Sequence, residues 1–189
     1  MSEEMKQLDI PVWVSSYFLV YTGVMEKEII KEKVTYQNQC LALGDGKTYN
    51  KLEQISGNCQ LEGICGRVLD MTVEIVRGDF RQFTISLARN ERYHTDFTIL
   101  KDSNMVEIDR TYSGMVHDTI AIRKAKMKTS TDKLQLRFIL DKYSVEIFLN
   151  DGQQVLSSTF YTPIEADGIR FVCDGKAVVN IQKYDIVVD

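Results

Sequence analysis

Apolar and polar residues alternate along most of the chain beyond residue 61. The run VLDMTVEIV, from Val68 to Val76, places Leu, Met, Val and Ile at every second position, and the segment from Phe83 to Ala88 alternates in the same way. Because successive side chains of a strand point to opposite faces, this period of two predicts strands with one apolar face. No helix-length amphipathic stretch follows residue 60. The pattern predicts an all-β fold, a two-sheet antiparallel β-sandwich of the lectin-like jelly-roll type.

The strongest local signal lies between Leu134 and Phe160. Alternating apolar residues mark two strands separated by a turn at 141–144, and Asn150-Asp151-Gly152 turns the chain into a third strand. Gly152 is expected to supply the positive φ that such a turn requires. We therefore predict a tight antiparallel meander here, at the heart of the sandwich.

The beginning of the chain has a less regular pattern. Residues 10–24 are rich in β-branched and aromatic types and are predicted to be extended, whereas residues 25–36 fit a helical face and an edge strand almost equally well. A turn is predicted at residues 44–46, and Gly57-Asn58 is expected to break the polar segment from Lys51 to Ile55. The predicted organisation is an N-terminal extension, or remnant of a preceding domain, over residues 1–37 and a β-sandwich domain over residues 38–189.

Composition and charge narrow the function classes. The 189 residues carry a net charge of −4 with acids and bases interspersed, which argues against partners such as nucleic acid or an anionic membrane. The N-terminus lacks the basic region of a signal peptide, and the apolar stretch at residues 10–25 is too polar to span a bilayer, so we predict a cytoplasmic protein. Four cysteines without a CxxC pair and only two histidines predict buried, reduced thiols, no metal site and no cofactor.

The segment LRFILDKYSVEIFLNDGQQVLSSTFY, at positions 136–161, resembles the C-terminal β-sandwich of family 32 glycoside hydrolases, the family of invertase, levanase and sucrose-6-phosphate hydrolase. The segment MVEIDRTYSG, at 105–114, fits the family's Asp-Arg step, and LALGDGKTYNKLEQISG, at 41–57, is similar to the connector that leaves the catalytic domain. The resemblance covers about residues 38–189. The residues that carry it are Asp109, Arg110, Asp141, Glu146, Asn150, Asp151 and Gly152.

The resemblance implies a role without catalysis. Family 32 enzymes hold their catalytic carboxylates on an N-terminal five-bladed propeller, in an Asp-Pro-Asn-Gly motif, an Arg-Asp-Pro motif and a Glu-Cys motif. None of these motifs occurs in this sequence. No catalytic residue is therefore predicted, the chain is expected to be inactive alone, and the implied partners are a catalytic propeller domain and, as a further option, a second copy of the chain.

The acids of the meander invite two interpretations. Asp141, Glu146 and Asp151 are close in sequence, as catalytic or calcium-binding acids would be. We favour a structural interpretation, in which the two aspartates bond turn amides and Glu146 pairs across the strands with Arg137. Asp109 and Arg110 are interpreted in the same way, as a charge pair that orders a loop.

Three residues in polar loops suggest a ligand. Tyr93, His94 and Tyr112 could contact a carbohydrate such as a fructoside, because aromatic rings stack on sugar rings. Three functions therefore compete: an accessory domain of a fructan- or sucrose-cleaving hydrolase, a stand-alone carbohydrate-binding module, and a protein-interaction sandwich that uses its edge strands. The first is favoured because the matched residues belong to the family's accessory domain.

Overall fold

The computed structural model describes residues 48–115, 120–128 and 134–186. Within these ranges every regular element is a strand, and no helix is present that could cross a membrane. Residues 1–47 lie outside the described part, together with the predictions made for 10–36 and for the turn at 44–46, so the domain boundary stays a prediction. The strands are β1 (Thr48–Cys59), β2 (Leu69–Asp79), β3 (Gln82–Arg89), β4 (Thr95–Leu100), β5 (Met105–Asp109), β6 (Ile122–Lys126), β7 (Leu134–Leu140), β8 (Ser144–Leu149), β9 (Gln154–Thr159) and β10 (Gly168–Asp185).

One long strand, β10, connects the two layers of the fold. All pairings between strands are antiparallel, in the order β6-β5-β4-β3-β10-β2-β7-β8-β9, and β1 also pairs with β10. Residues 168–173 of β10 pair with β3, whereas residues 176–185 pair with β2. Because β3 and β2 pair with successive parts of β10, the sheet folds over at the point where one pairing ends and the other begins. The β3–β6 layer and the β2–β7–β8–β9 layer therefore face each other as a β-sandwich, which confirms the predicted fold class.

The core lies between these layers and consists of the inward positions of the alternating strands. Phe97 of β4 meets Phe138 of β7 edge-to-face, with ring centroids 5.5 Å apart, so the two layers interlock. The predicted apolar faces are confirmed. The buried positions of β2, β3, β7 and β8 include Leu69, Met71, Val73, Ile75, Phe83, Ile85, Leu87, Leu136, Phe138, Leu140, Val145, Ile147 and Leu149.

The fold-over point is held by polar contacts and by a close backbone approach. Asp174 accepts hydrogen bonds from the backbone N–H groups of Arg81 and Gln82, both at 2.9 Å. These bonds, above all that from Gln82, lower the pKa of Asp174. A Cβ on Gly175 would lie 2.0 Å from the carbonyl oxygen of Asp79, so only glycine fits there. The bend of β10 thus depends on this Asp-Gly pair.

The meander between residues 134 and 159 is confirmed, with two differences. Asn150, Asp151 and Gly152 all have positive φ, at 46°, 57° and 80°, so the left-handed conformation extends beyond the predicted glycine. The meander also ends at β9, the last strand of the sheet path, whereas β10 is the strand with the most partners. At the other end of the chain, Gly57 does not break β1. The strand continues past it with a shift in register between Ser56 and Gly57.

Replacement of Gly175 by alanine tests the importance of the bend. We expect Gly175→Ala to lower the free energy of unfolding by about 2–3 kcal/mol, because the added methyl group must displace a backbone carbonyl. Gly57→Ala is the matched control. A Cβ there meets nothing within 4 Å, so only its positive φ counts, at a cost of about 1 kcal/mol. Urea unfolding of both variants measures the difference, and equal losses would contradict the account.

Candidate functional site

The family-signature residues of the meander fix two turns. The carboxylate of Asp141 accepts hydrogen bonds from the backbone N–H groups of Tyr143, at 2.7 Å, and Ser144, at 2.9 Å, as predicted. Asn150 follows β8, and its side-chain oxygen accepts a bond from the N–H of Gln135 at 3.0 Å. Asp141 and Asn150 therefore stand at opposite ends of β8, where they shape turns and do not converge on one point.

Glu146 lies on the outer face of β8, in register with Ile139 and Ser157. It is only 9% exposed, and its Oε1 atom has no hydrogen-bond partner. The predicted pairing with Arg137 is wrong, because Arg137 instead binds both carboxylate oxygens of Asp70 on β2, at 2.9 and 2.6 Å. Burial, and secondly the charge of Asp141, raise the pKa of Glu146 to about 7.

Asp109 and Arg110 order the loop after β5, but by separate contacts. Asp109 accepts a hydrogen bond from the N–H of Thr111 at 2.8 Å. Arg110 is buried and donates to the carbonyl oxygen and the hydroxyl of Thr159 on β9, at 2.8 and 3.1 Å. The predicted charge pair is therefore wrong. Arg110 instead ties β5 in one layer to β9 in the other.

The aromatic residues predicted to contact a sugar are partly brought together. His94 donates its backbone N–H to the carbonyl of Tyr112 at 3.0 Å, and their rings stack with centroids 4.8 Å apart. Tyr112 is 57% exposed. Tyr93 lies in the preceding loop, where Asn90 accepts its N–H and the guanidinium of Arg92 lies over its ring. His94 and Tyr112 thus form one stacked pair at the surface.

A buried arginine that the sequence pattern did not reveal organises the same end of the sandwich. Arg67, just before β2, donates to the Thr162 hydroxyl at 2.5 Å, to the carbonyls of Pro163 and Ala166 at 3.1 Å, and to the carbonyl of Lys142. Its guanidinium also lies over the Phe160 ring. A single arginine outside any periodic segment gives no signal in a sequence, because its partners are 75 to 99 residues away.

We use the name loop end for the end of the sandwich formed by residues 60–68, 90–94, 110–115, 120–121, 141–143 and 160–167. Hydrogen bonds join these segments to one another: Gly66 N–H binds the Asp167 carbonyl, Tyr161 N–H binds the Ser113 carbonyl, and Phe160 N–H binds the Tyr143 carbonyl. The loop end also carries exposed apolar side chains. Besides Tyr112 these are Met115, Ile120, Ile122 at the start of β6, Tyr143, Tyr161 and Ile164.

The residues with metal-binding chemistry are dispersed. Cys173 is buried and Cys59 half-buried, but Cys65 is exposed, so the prediction of buried thiols is wrong for Cys65. Cys40 lies outside the described residues. Among those that are described, no three His, Cys, Asp or Glu side chains come together as a metal site would require.

The raised pKa of Glu146 predicts a dependence of stability on pH. Its folded pKa of about 7 lies above the ordinary value of 4.5, so the contribution to stability is complete below pH 4.5 and is lost as the pH rises through 7. We expect Glu146→Gln to be more stable than the unmodified chain at pH 8, by on the order of 3 kcal/mol, and nearly equal to it at pH 4.5. Thermal unfolding at both pH values measures this. The exposed Glu91→Gln is the control, and an identical pH profile for the two variants would disprove the assignment.

The network around Arg67 predicts a large loss on a conservative change. Arg67→Lys keeps the charge but cannot reach four separate acceptors, so we expect a loss on the order of 3 kcal/mol in the free energy of unfolding. Arg81→Lys is the matched control, since its side chain is 80% exposed and its loss should stay within about 0.5 kcal/mol. Denaturant unfolding compares the two, and similar losses would show that the Arg67 bonds are unimportant.

Comparison with known proteins agrees with this fold. The family model described as "Glycosyl hydrolases family 32 C terminal" matches residues 39–187. The chain is 27% identical over 130 residues to sucrose-6-phosphate hydrolase of Staphylococcus xylosus, a match that covers 67% of this chain and 26% of that protein. It is 26% identical over 129 residues to a levanase of Bacillus sp. (strain L7), covering 65% of this chain and 14% of the levanase.

Solved structures share the fold at low sequence identity. The exo-inulinase of Aspergillus awamori superposes with a TM-score of 0.67 at 19% identity, over 79% of this chain and 31% of that chain. Sucrose-6-phosphate hydrolase from Lactobacillus gasseri gives a TM-score of 0.57 at 18% identity, over 73% of this chain and 28% of that one. The chain thus spans less than a third of the length of these relatives. Because the family model matches most of its residues, the chain belongs to the family of glycosyl hydrolase family 32 C-terminal domains.

Proposed function

We propose that this chain is the non-catalytic accessory β-sandwich of a β-fructofuranosidase-type glycoside hydrolase, and that it acts by packing on a catalytic domain that it does not itself contain. The observation that carries the proposal is the structural role of the family-signature residues. Asp141 and Asn150 hold turns, and Arg110 joins the two layers. These residues maintain the shape of the sandwich.

The acids of the described residues do not suit glycoside hydrolysis. A retaining glycosidase needs two carboxyl groups about 5–5.5 Å apart on either side of the scissile bond. Glu146 has the raised pKa of an acid catalyst, but it lies on a sheet face in register with Ile139 and Ser157. Asp141 is occupied by two backbone N–H groups. A raised pKa alone therefore supports no catalytic role here.

The loop end is the surface that best fits a catalytic domain. Exposed apolar side chains gathered at one place mark protein interfaces. Of the ten large apolar side chains found exposed in the described residues, Tyr143, Tyr161 and Ile164 belong to the segments that Arg67 orders, and Met115, Ile120 and Ile122 lie beside them. The buried hydrogen bonds of Arg67 and Arg110 hold these segments in place, so an interface here would lose little conformational entropy on docking.

The position of β1 also supports a catalytic domain at the loop end. β1 begins opposite Tyr184, near the end of β10, and that end of the layer also contains the 141–143 turn. A domain connected to the start of β1 would therefore lie on the same side of the sandwich as the loop end. About three quarters of the length of the Staphylococcus xylosus relative falls outside the match, which leaves room for such a domain.

The first test is activity. The purified chain should release no reducing sugar from sucrose, sucrose-6-phosphate, levan or inulin, because the motifs that carry the family's catalytic carboxylates do not occur in its sequence. The Staphylococcus xylosus enzyme serves as the positive control. Hydrolysis of any of these substrates above the rate of a heat-inactivated sample would overturn the proposal.

The second test is docking. A chimaera in which residues 39–187 replace the matching part of the Staphylococcus xylosus enzyme should unfold in a single transition, because the two domains stabilise each other. Aspartate at both Tyr161 and Ile164 should split that transition, since burial of an unpaired charge costs several kcal/mol. Calorimetry measures both proteins.

Leu52→Asp is the matched control for docking. Leu52 is 65% exposed and pairs with Asn180 within the β1–β10 ladder, outside the loop-end segments, and its replacement should leave the single transition intact. Docking through the loop end is rejected if Leu52→Asp splits the transition or if Tyr161→Asp with Ile164→Asp leaves it unchanged.

A further inference from the structure

The outer face of the β3–β6 layer carries a polar cluster that neither the core nor the family signature uses. Its centre is Ser86 of β3, which lies in register with Arg170 of β10 on one side and with Asp96 of β4 on the other. Arg89 completes the cluster at the end of β3. Since Phe83, Ile85 and Leu87 point into the core, Ser86 points outward, yet it is fully buried.

The cluster contains most of the unpaired buried polar atoms in the described residues. Seven such side-chain atoms occur there, and four belong to this cluster: Ser86 Oγ, Arg89 Nε, Asp96 Oδ1 and Arg170 Nε. A buried polar atom without a hydrogen bond costs about 1–3 kcal/mol. Four such atoms in one place indicate that a bound group would supply the missing hydrogen-bond partners.

The chemistry of the four atoms selects the kind of group. The two arginine atoms only donate, the carboxylate oxygen of Asp96 only accepts, and the Ser86 hydroxyl does both. An anion such as phosphate could satisfy the arginines, but Asp96 would repel it. Neighbouring hydroxyl groups, each able to donate and accept, satisfy all four atoms. The cluster is therefore complementary to a neutral polyol.

An aromatic surface adjoins the polar atoms. His94 Nε2 lies 3.8 Å from Asp96 Oδ2, and the His94 ring stacks on the ring of Tyr112, which is 57% exposed. A sugar presents hydroxyl groups at its edge and C–H groups on its face. The hydroxyl groups fit the polar cluster and the C–H face fits an exposed aromatic ring. Asp96 thus joins the two parts into one surface.

We propose that Ser86, Asp96, Arg170, His94 and Tyr112 form a binding site for a neutral saccharide on the outer face of the β3–β6 layer. Arg89 and Arg170 are half-buried long side chains, and their rotation opens the cluster to the ligand. Asp96 accepts hydrogen bonds from two neighbouring sugar hydroxyls, the arginines and Ser86 donate to the sugar oxygens, and Tyr112 covers the ring. The site does not depend on the proposed accessory role, since it needs no catalytic domain.

Calorimetric titration of the full chain tests the site. The probes are sucrose, nystose, maltotetraose and, as an anion, inorganic phosphate. We expect at least one of the saccharides to bind, and phosphate to give no heat. Tyr112→Ala should weaken saccharide binding up to about tenfold, by loss of the aromatic contact, and Asp96→Ala should abolish it. Tyr143→Ala is the matched control, since Tyr143 is an equally exposed tyrosine on the other layer, and it should bind as the unmodified chain does.

Folding of the variants is checked by their melting temperatures. Because Oδ1 of Asp96 is buried without a partner, its removal should not destabilise the fold, and Asp96→Ala should melt no more than about 2 °C below the unmodified chain. The proposal is overturned if none of the three saccharides binds, if phosphate binds in their place, or if Asp96→Ala and Tyr112→Ala bind a saccharide as tightly as Tyr143→Ala. Hydrolysis assays and the chimaera do not bear on these outcomes, so the site and the accessory role fail separately.

Discussion

The bend of β10 at Asp174 and Gly175 is the constraint on which the rest of the structure depends. One strand pairs with β3 before the bend and with β2 after it, so the position of the bend sets the register of both layers. Asp174 binds the N–H groups of Arg81, in the β2–β3 connection, and Gln82, at the start of β3, and Gly175 permits the close approach of the Asp79 carbonyl. Once these are in place, the apolar faces meet, and Phe97 can pack on Phe138.

The polar residues at the loop end have a related role. Folding one continuous sheet into two layers leaves its outermost strands, β6 and β9, next to each other. Gln154 of β9 bonds the backbone at Lys126 and Lys128, and Arg110 bonds Thr159 of β9. The edges are therefore covered by side-chain contacts, which protects unpaired strand groups from association with other chains. Arg67 bonds the 141–143 turn and the 160–167 segment. The loop end therefore combines side-chain hydrogen bonds between its loops with exposed apolar residues.

Sequence patterns predicted what depends on neighbouring residues, and missed what depends on distant ones. The alternation in β2, β3, β7 and β8 revealed the strands and their inward faces, and Asp141 was correctly assigned to its turn because its partners are two and three residues away. The predicted partner of Arg137 was wrong because the sequence does not reveal the register between β2 and β7. That register places Asp70 within hydrogen-bonding distance of Arg137. The Arg67 network and the Arg110–Thr159 contact arise only when the sheet folds over, and the Ser86 cluster arises only when β10 pairs with β3. The burial of Glu146 likewise depends on side chains of adjacent strands.

Under the proposed function, this domain presents one rigid end to a catalytic domain. Amide hydrogen exchange tests this most directly, by comparison of the chain alone with the chain joined to the catalytic part of a family 32 enzyme. We predict slower exchange in residues 110–115 and 160–167 of the joined protein, with no change at the bend around residues 79–82 and 173–176. Protection elsewhere on the sandwich, or equal exchange in the two proteins at the loop end, would contradict the account.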